Sequence, residues 1–149
     1  MLDTTTKFSC SISTTNDSAP LDLEILLNDQ QIFKSQQLST EPQAVEYNIN
    51  DTDAEHELKF VMRNKHAKHT KIGENGVILS DTRIIIDNLS FDEISVSQLA
   101  QESAVYTHDY NGSGSEIQDK FYGELGCNGV VSFKFTSPVY LWILKHLQP

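Results

Sequence analysis

The chain predicts an all-β fold, an antiparallel β-sandwich of jelly-roll type closed by a short apolar C-terminal helix, and three observations carry that expectation. Apolar and polar residues alternate with a period of two through run after run, clusters of Asn, Asp, Gly and Pro separate the runs, and no helical spacing occurs before residue 97. About eight short strands punctuated by turns suit a sandwich, with a partly open barrel as the alternative. The 149 residues fit one domain with a core of its own. Within it, residues 1–136 form the expected sandwich and 137–149 a docking segment of the same domain.

The first strand is set by Phe8, Cys10 and Ile12 alternating with serines, and the polar cluster TTNDSAP turns the chain. Leu21, Leu23, Ile25 and Leu27 give the second strand. Asn28-Asp29 then closes a hairpin onto Ile32 and Phe33. Val45, Tyr47 and Ile49 form a further strand, followed after NDTDAE by His56, Leu58, Phe60 and Met62. A short strand at Val77 to Leu79 precedes the pairs Ile84 and Ile86, Leu89 and Phe91, Ile94 and Val96. Ser97 to Ser103 has room for one helical turn. Asp109 to Gly129 holds five of the seven glycines, with Tyr106, Tyr110, Phe121 and Tyr122 beside or among them, and reads as a surface loop or interface arm. Val131, Phe133 and Phe135 make the last strand.

The final stretch, SPVYLWILKHLQP, predicts a helix with Ser137 as N-cap, Pro138 in the first turn, and Lys145 and His146 near its negative end. Every face of it is apolar, whereas a helix lying on a sandwich needs only one apolar face. Tyr140, Leu141, Trp142 and Leu144 are therefore the expected partner-binding residues, packing against a second copy or another protein. The alternative is a tail buried wholly inside its own domain.

Eleven Lys+Arg against 21 Asp+Glu give a net charge of −10, which disfavours nucleic acid and anionic membrane as partners. The N-terminal MLDTTTKFS has no basic or apolar signal region, so no signal peptide is expected, and Cys10 and Cys127 are expected to be free thiols. One segment breaks the acidic pattern. Between Leu58 and Gly73 lie Lys59, Arg63, Lys65, Lys68 and Lys71 with no acid, so this loop, Lys65 and Lys68 above all, is a candidate for an acidic ligand or partner; a solvated hairpin end is the plain alternative.

His66 and His69, joined by His56 or His108, would supply imidazoles for zinc, but the surrounding cations oppose a divalent ion. Asp51 with Asp53, and Asp87 with Asp92, offer oxygens to calcium, and Asx turn chemistry explains them equally. No cofactor is required, with calcium as the alternative. Neither a GxSxG elbow nor an HExxH pair occurs, and His108 and Asp109, adjacent on a strand, point to opposite faces. Glu116 and Asp119 are the one carboxylate pair with a glycosidase-like look. No catalytic residue is assigned, and the chain is expected not to be an enzyme.

The stretches HELKFVMRNKH and NGVILSDTRIIIDNLSFDEI, with the Asn75-Gly76 turn and Asp81, resemble carbohydrate-binding-module-like β-sandwich proteins of marine tailed bacteriophages. The tail GELGCNGVVSFKFTSPVYLWILKHL is similar to the ends of small virion proteins from such phages. The resemblance covers about half the chain. It implies a tail, neck or capsid-associated structural protein, assembled in the host cytoplasm with other virion proteins and with copies of itself. Its alternative implication is a module for host-surface glycan, with Tyr106, Tyr110 and Tyr122 as stacking faces and aspartates as polar or calcium ligands. The sequence departs from such modules in its tryptophan: Trp142 is the sole one, and it lies in the apolar tail.

Overall fold

The structure, a computed structural model, describes residues 5–16, 21–50, 52, 54–65 and 69–147. Two antiparallel sheets face one another. The first contains β1 (Thr5–Thr14), β4 (Gln43–Asn50), β8 (Ile84–Phe91), β9 (Ile94–Ser95) and β12 (Glu124–Leu125), in the order β12-β8-β1-β4 with β9 paired to β8. The second contains β2 (Asp22–Leu27), β3 (Gln30–Ser35), β5 (Ala54–Arg63), β10 (Val105–His108), β11 (Ile117–Lys120) and β13 (Gly129–Ser137), in the order β11-β10-β13-β5-β2-β3. The predicted sandwich is the observed fold.

Period-two patterning places the core. Along β1, Thr6, Phe8, Cys10, Ile12 and Thr14 point inward and the residues between them do not. The two inner faces meet through aromatic contacts: Phe91 of β8 lies 4.8 Å from Phe135 of β13, while within the first sheet Phe8 of β1 lies 5.9 Å from its cross-strand neighbour Phe91. The β2–β3 turn holds Asn28 and Asp29 at φ 51° and 67°, left-handed values that Asn and Asp tolerate and that match the twist of a tight hairpin. Cys10 and Cys127 are free thiols.

The helical turn expected over Ser97 to Ser103 is present as α1 (Ser97–Ser103), which buries Leu99 and Ala100 against the sandwich. Two other elements differ from the sequence-based expectation. The glycine-rich segment is not a free arm, because β11 extends the edge of the second sheet and β12 pairs with β8 in the first, with Phe121 and Leu125 buried between. Buried apolar residues spaced through the segment tie it down. The strand at residue 78 joins neither sheet: β6 (Thr70–Ile72) and β7 (Ile78–Asp81) pair only with each other, as a tongue on which Ile72, Val77, Ile78 and Leu79 are all more than half exposed.

The C-terminal helix, α2 (Val139–Leu147), packs on β13. It starts one residue later than the sequence suggests. Ser137 ends β13, its peptide bond to Pro138 is cis, and the Pro138 carbonyl accepts the Trp142 N–H at 3.2 Å. Ser137 is no N-cap because its hydroxyl is spent elsewhere: it meets the His56 ring and donates to the Thr52 carbonyl.

Candidate functional site

Two histidine clusters have the superficial look of catalytic equipment. In the first, Asn28 Oδ1 accepts the Glu57 N–H at 2.9 Å, which turns Nδ2–H of Asn28 toward His56 Nδ1, also at 2.9 Å. With Nδ1 acting as acceptor, Nε2 carries the proton and donates to Ser137 Oγ at 2.9 Å. A histidine that gives a proton to the serine oxygen cannot take one from it, so this Ser–His–Asn chain does not activate a nucleophile. It fastens the end of β13 to β5 beneath α2.

In the second cluster, the buried His108 bonds Asp119 Oδ2 at 3.0 Å from Nε2, and its Nδ1 faces the Tyr110 N–H at 3.4 Å. The Tyr110 ring stands edge-on to the imidazole at 4.8 Å. His108 is held close to β13 because its neighbour across the strands is Gly129, where a Cβ would lie 2.4 Å from the Thr107 carbonyl oxygen. Asp119, which the sequence offers as a carboxylate pair with Glu116, is thus taken up by His108, and the cluster braces β11 and the 109–116 loop.

The basic segment loses most of its charge to acids that sequence distance conceals. Lys59 pairs with Asp29 at 3.0 Å and Glu57 at 3.5 Å, and Arg63 with Glu24 at 3.0 Å. Lys65 is buried, pairs with Asp81 at 2.7 Å and donates to the Gly126 carbonyl. Asn128 completes this knot by accepting the Lys65 N–H at 2.8 Å and donating to the Lys65 carbonyl at 2.9 Å. Lys65 is therefore a strut, not a ligand-facing cation; Lys68 and His66 lie outside the described residues.

The three tyrosines separate. Tyr106 is buried, its hydroxyl donating to the Cys127 carbonyl and accepting the Cys127 N–H at 2.9 Å, and burial pushes its pKa up to about 12. It offers no stacking face. Tyr110 is half exposed beside His108, and Tyr122 is 68% exposed with no hydrogen bond from its hydroxyl among the described residues.

Tyr122 stands on the rim of a cleft of about 220 Å³. Leu89, Ala100 and Phe121 give the floor an apolar surface, while Asp87, Gln101 and Glu124 bring polar groups to the lining. Three segments converge here: β8, α1 and residues 121–124 leading into β12. Gly123 makes their approach feasible, since its φ of 92° is left-handed and its carbonyl accepts the Ile86 N–H at 2.8 Å. Arg83 holds the Glu124 carboxylate at 2.7 Å. Of the cleft residues, sequence reasoning singled out Tyr122, and Asp87 only as a calcium candidate. Gln101 and Glu124 carry no local signal, because three separate elements deliver the polar rim.

On α2 the apolar residues divide by helical spacing. Val139, Trp142 and Ile143 are buried, with Trp142 edge-on to Phe133 at 5.7 Å and to Phe135 at 6.1 Å. Tyr140, Leu141 and Leu144 form the outer face at 59%, 59% and 40% exposure. Trp142 thus belongs to the domain core, and the open part of the expected partner surface is the other three. Among the described residues no group of three or more His, Cys, Asp and Glu side chains could hold a metal ion. Asp87 accepts the N–H of its neighbour Asn88, Asp92 accepts the Lys7 N–H from β1, and Asp51 and Asp53 lie outside the described residues.

No family model and no curated protein sequence matches the chain. Two solved structures do, both of one carbohydrate-binding module. The first is vCBM60 in complex with galactobiose, at 16% identity and a TM-score of 0.48 over 85% of this chain and 96% of that one. The second is a selenomethionine form of vCBM60, from work on a circular permutation linking two families of calcium-dependent carbohydrate-binding modules. It matches at 16% identity and a TM-score of 0.44, over 86% of this chain and 89% of the other. Nothing in these matches points to a virion protein.

Proposed function

We propose that the chain is a non-catalytic glycan-binding module whose sugar site is the cleft beside Tyr122. One observation carries this reading: an exposed tyrosine ring borders a cleft with an apolar floor and a rim of carboxylate and amide groups. Sugars present just that pairing of surfaces, C–H faces that lie on an aromatic ring and hydroxyls that need convergent acceptors and donors. Asp87 and Glu124 accept from hydroxyls and Gln101 donates and accepts. A calcium bridge does not fit this rim, because two carboxylates, one already tied to Arg83, fall far short of the roughly six to eight oxygens calcium takes.

The test is a glycan array followed by titration with and without EDTA. Tyr122→Ala is expected to lower affinity at least tenfold, and EDTA to leave it unchanged. Undiminished binding by Tyr122→Ala would move the site elsewhere.

A second reading is favoured by the outer face of α2. There Tyr140, Leu141 and Leu144 would join copies of the chain, or other virion proteins, in a phage particle assembled in the host cytoplasm. Deleting the helix does not test this, since Val139, Trp142 and Ile143 are part of the core. Leu141→Glu with Tyr140→Glu does: a lower solution mass with unchanged thermal unfolding supports the reading, and a wild-type chain that is monomeric at all concentrations refutes self-association.

A further inference from the structure

We infer that the Tyr122 cleft takes one uncharged sugar ring and not a run of glycan chain, an inference that rests on the glycan reading. The volume sets the first limit. About 220 Å³ falls below the roughly 300–1,000 Å³ of sites that enclose larger ligands. The walls set the second. Residues of β8, of α1 and of 121–124 line the cleft together, so it is a notch where three segments meet. The aromatic count sets the third. Among the described residues Tyr122 is the only exposed ring on its lining, and a polymer tracked along a surface needs successive platforms for successive units.

Charge then selects among single rings. Among the described residues no Lys, Arg or His lines the cleft. The Glu124 charge is balanced by Arg83, whereas Asp87 has no ion pair among the described residues, and the chain as a whole carries −10. A carboxylate or sulfate on the sugar would meet Asp87 without a counter-charge, in a field already of its own sign. Hydroxyls of a neutral ring meet the same carboxylate as donors. The site therefore reads the neutral terminal residue of a glycan.

The experiment is a chemical-shift titration of the full chain and of Asp87→Asn. The ligands are free D-glucose, D-galactose, D-mannose, D-xylose, L-rhamnose and N-acetyl-D-glucosamine, the two- to four-residue oligomers of whichever binds, and the matching uronic acid. The expected result is an affinity that changes less than fivefold from one residue to four, with the uronic acid at least fivefold weaker than its neutral parent and partly restored by Asp87→Asn. Affinity that climbs more than fivefold with chain length, or a uronic acid bound as well as its parent, overturns the inference and leaves the glycan reading standing. Shifts at Tyr122 and Gly123 with no sugar of any length would sink both.

Discussion

Tyr106 and Tyr122 flank one stretch of chain and end in opposite environments. Tyr106 sits where β10 meets the 126–128 loop, its phenol held by both backbone groups of Cys127, with the Lys65–Asp81 pair and Asn128 closing the same end of the sandwich. Tyr122 stands in solvent beside an apolar notch. The first region spends its phenol, ammonium, carboxylate and amide on holding itself together; the second leaves a ring and polar groups facing outward. An aromatic residue in a glycine-rich segment is therefore evidence of function only where its hydroxyl and its face both stay free.

Alkali should separate the fastened region most sharply. Burial raises Tyr106 from 10.0 to about 12 and Cys10 from 9.0 to about 12. As pH rises above 9 the unfolded chain releases these protons first, so the unfolded state gains. Stability should be level below about pH 9 and fall between about pH 9 and 12, read by urea unfolding at each pH; Tyr106→Phe should soften the fall above pH 10. A flat profile to pH 12 would show that neither group is buried as described.

Next in size is α2, where the same contrast recurs. Trp142→Ala removes a ring packed on Phe133 and Phe135 and should cost about 4 kcal/mol, while Tyr140→Ala should stay within about 0.5 kcal/mol. Equal losses at the two positions would mean that the outer face is covered. Lys65→Ala removes the Asp81 counter-charge and the bond to the Gly126 carbonyl, and a loss of about 3 kcal/mol is expected by urea unfolding. Smallest of all, Tyr122→Ala should leave the unfolding midpoint unchanged, since a ring this exposed adds little to the fold.

Much of the sandwich was legible because burial on one face of a strand writes itself into every second residue, as in Phe8, Cys10 and Ile12. The hairpin at Asn28-Asp29 was legible because left-handed backbone needs particular side chains. The site was less so. Lys59, Arg63 and Lys65 look like a positive patch along the chain, and their neutralising partners Asp29, Glu24 and Asp81 become visible only when strands are paired. The cleft draws on β8, α1 and residues 121–124, so no spacing along the chain marks it. The helix α2 was half read: its all-round apolarity was plain, but which residues face inward depends on where β13 ends.

The tongue of β6 and β7 has a practical consequence. Both sheets close without it, and its tip at Asn75-Gly76 is held by only a few local bonds, so the backbone can be cut or lengthened there while the body stays whole. Opened at that point, the polypeptide would keep its two pieces clasped through the β1–β8 and β5–β13 ladders. That makes the tongue the natural place to graft a tag, a dye or a passenger peptide.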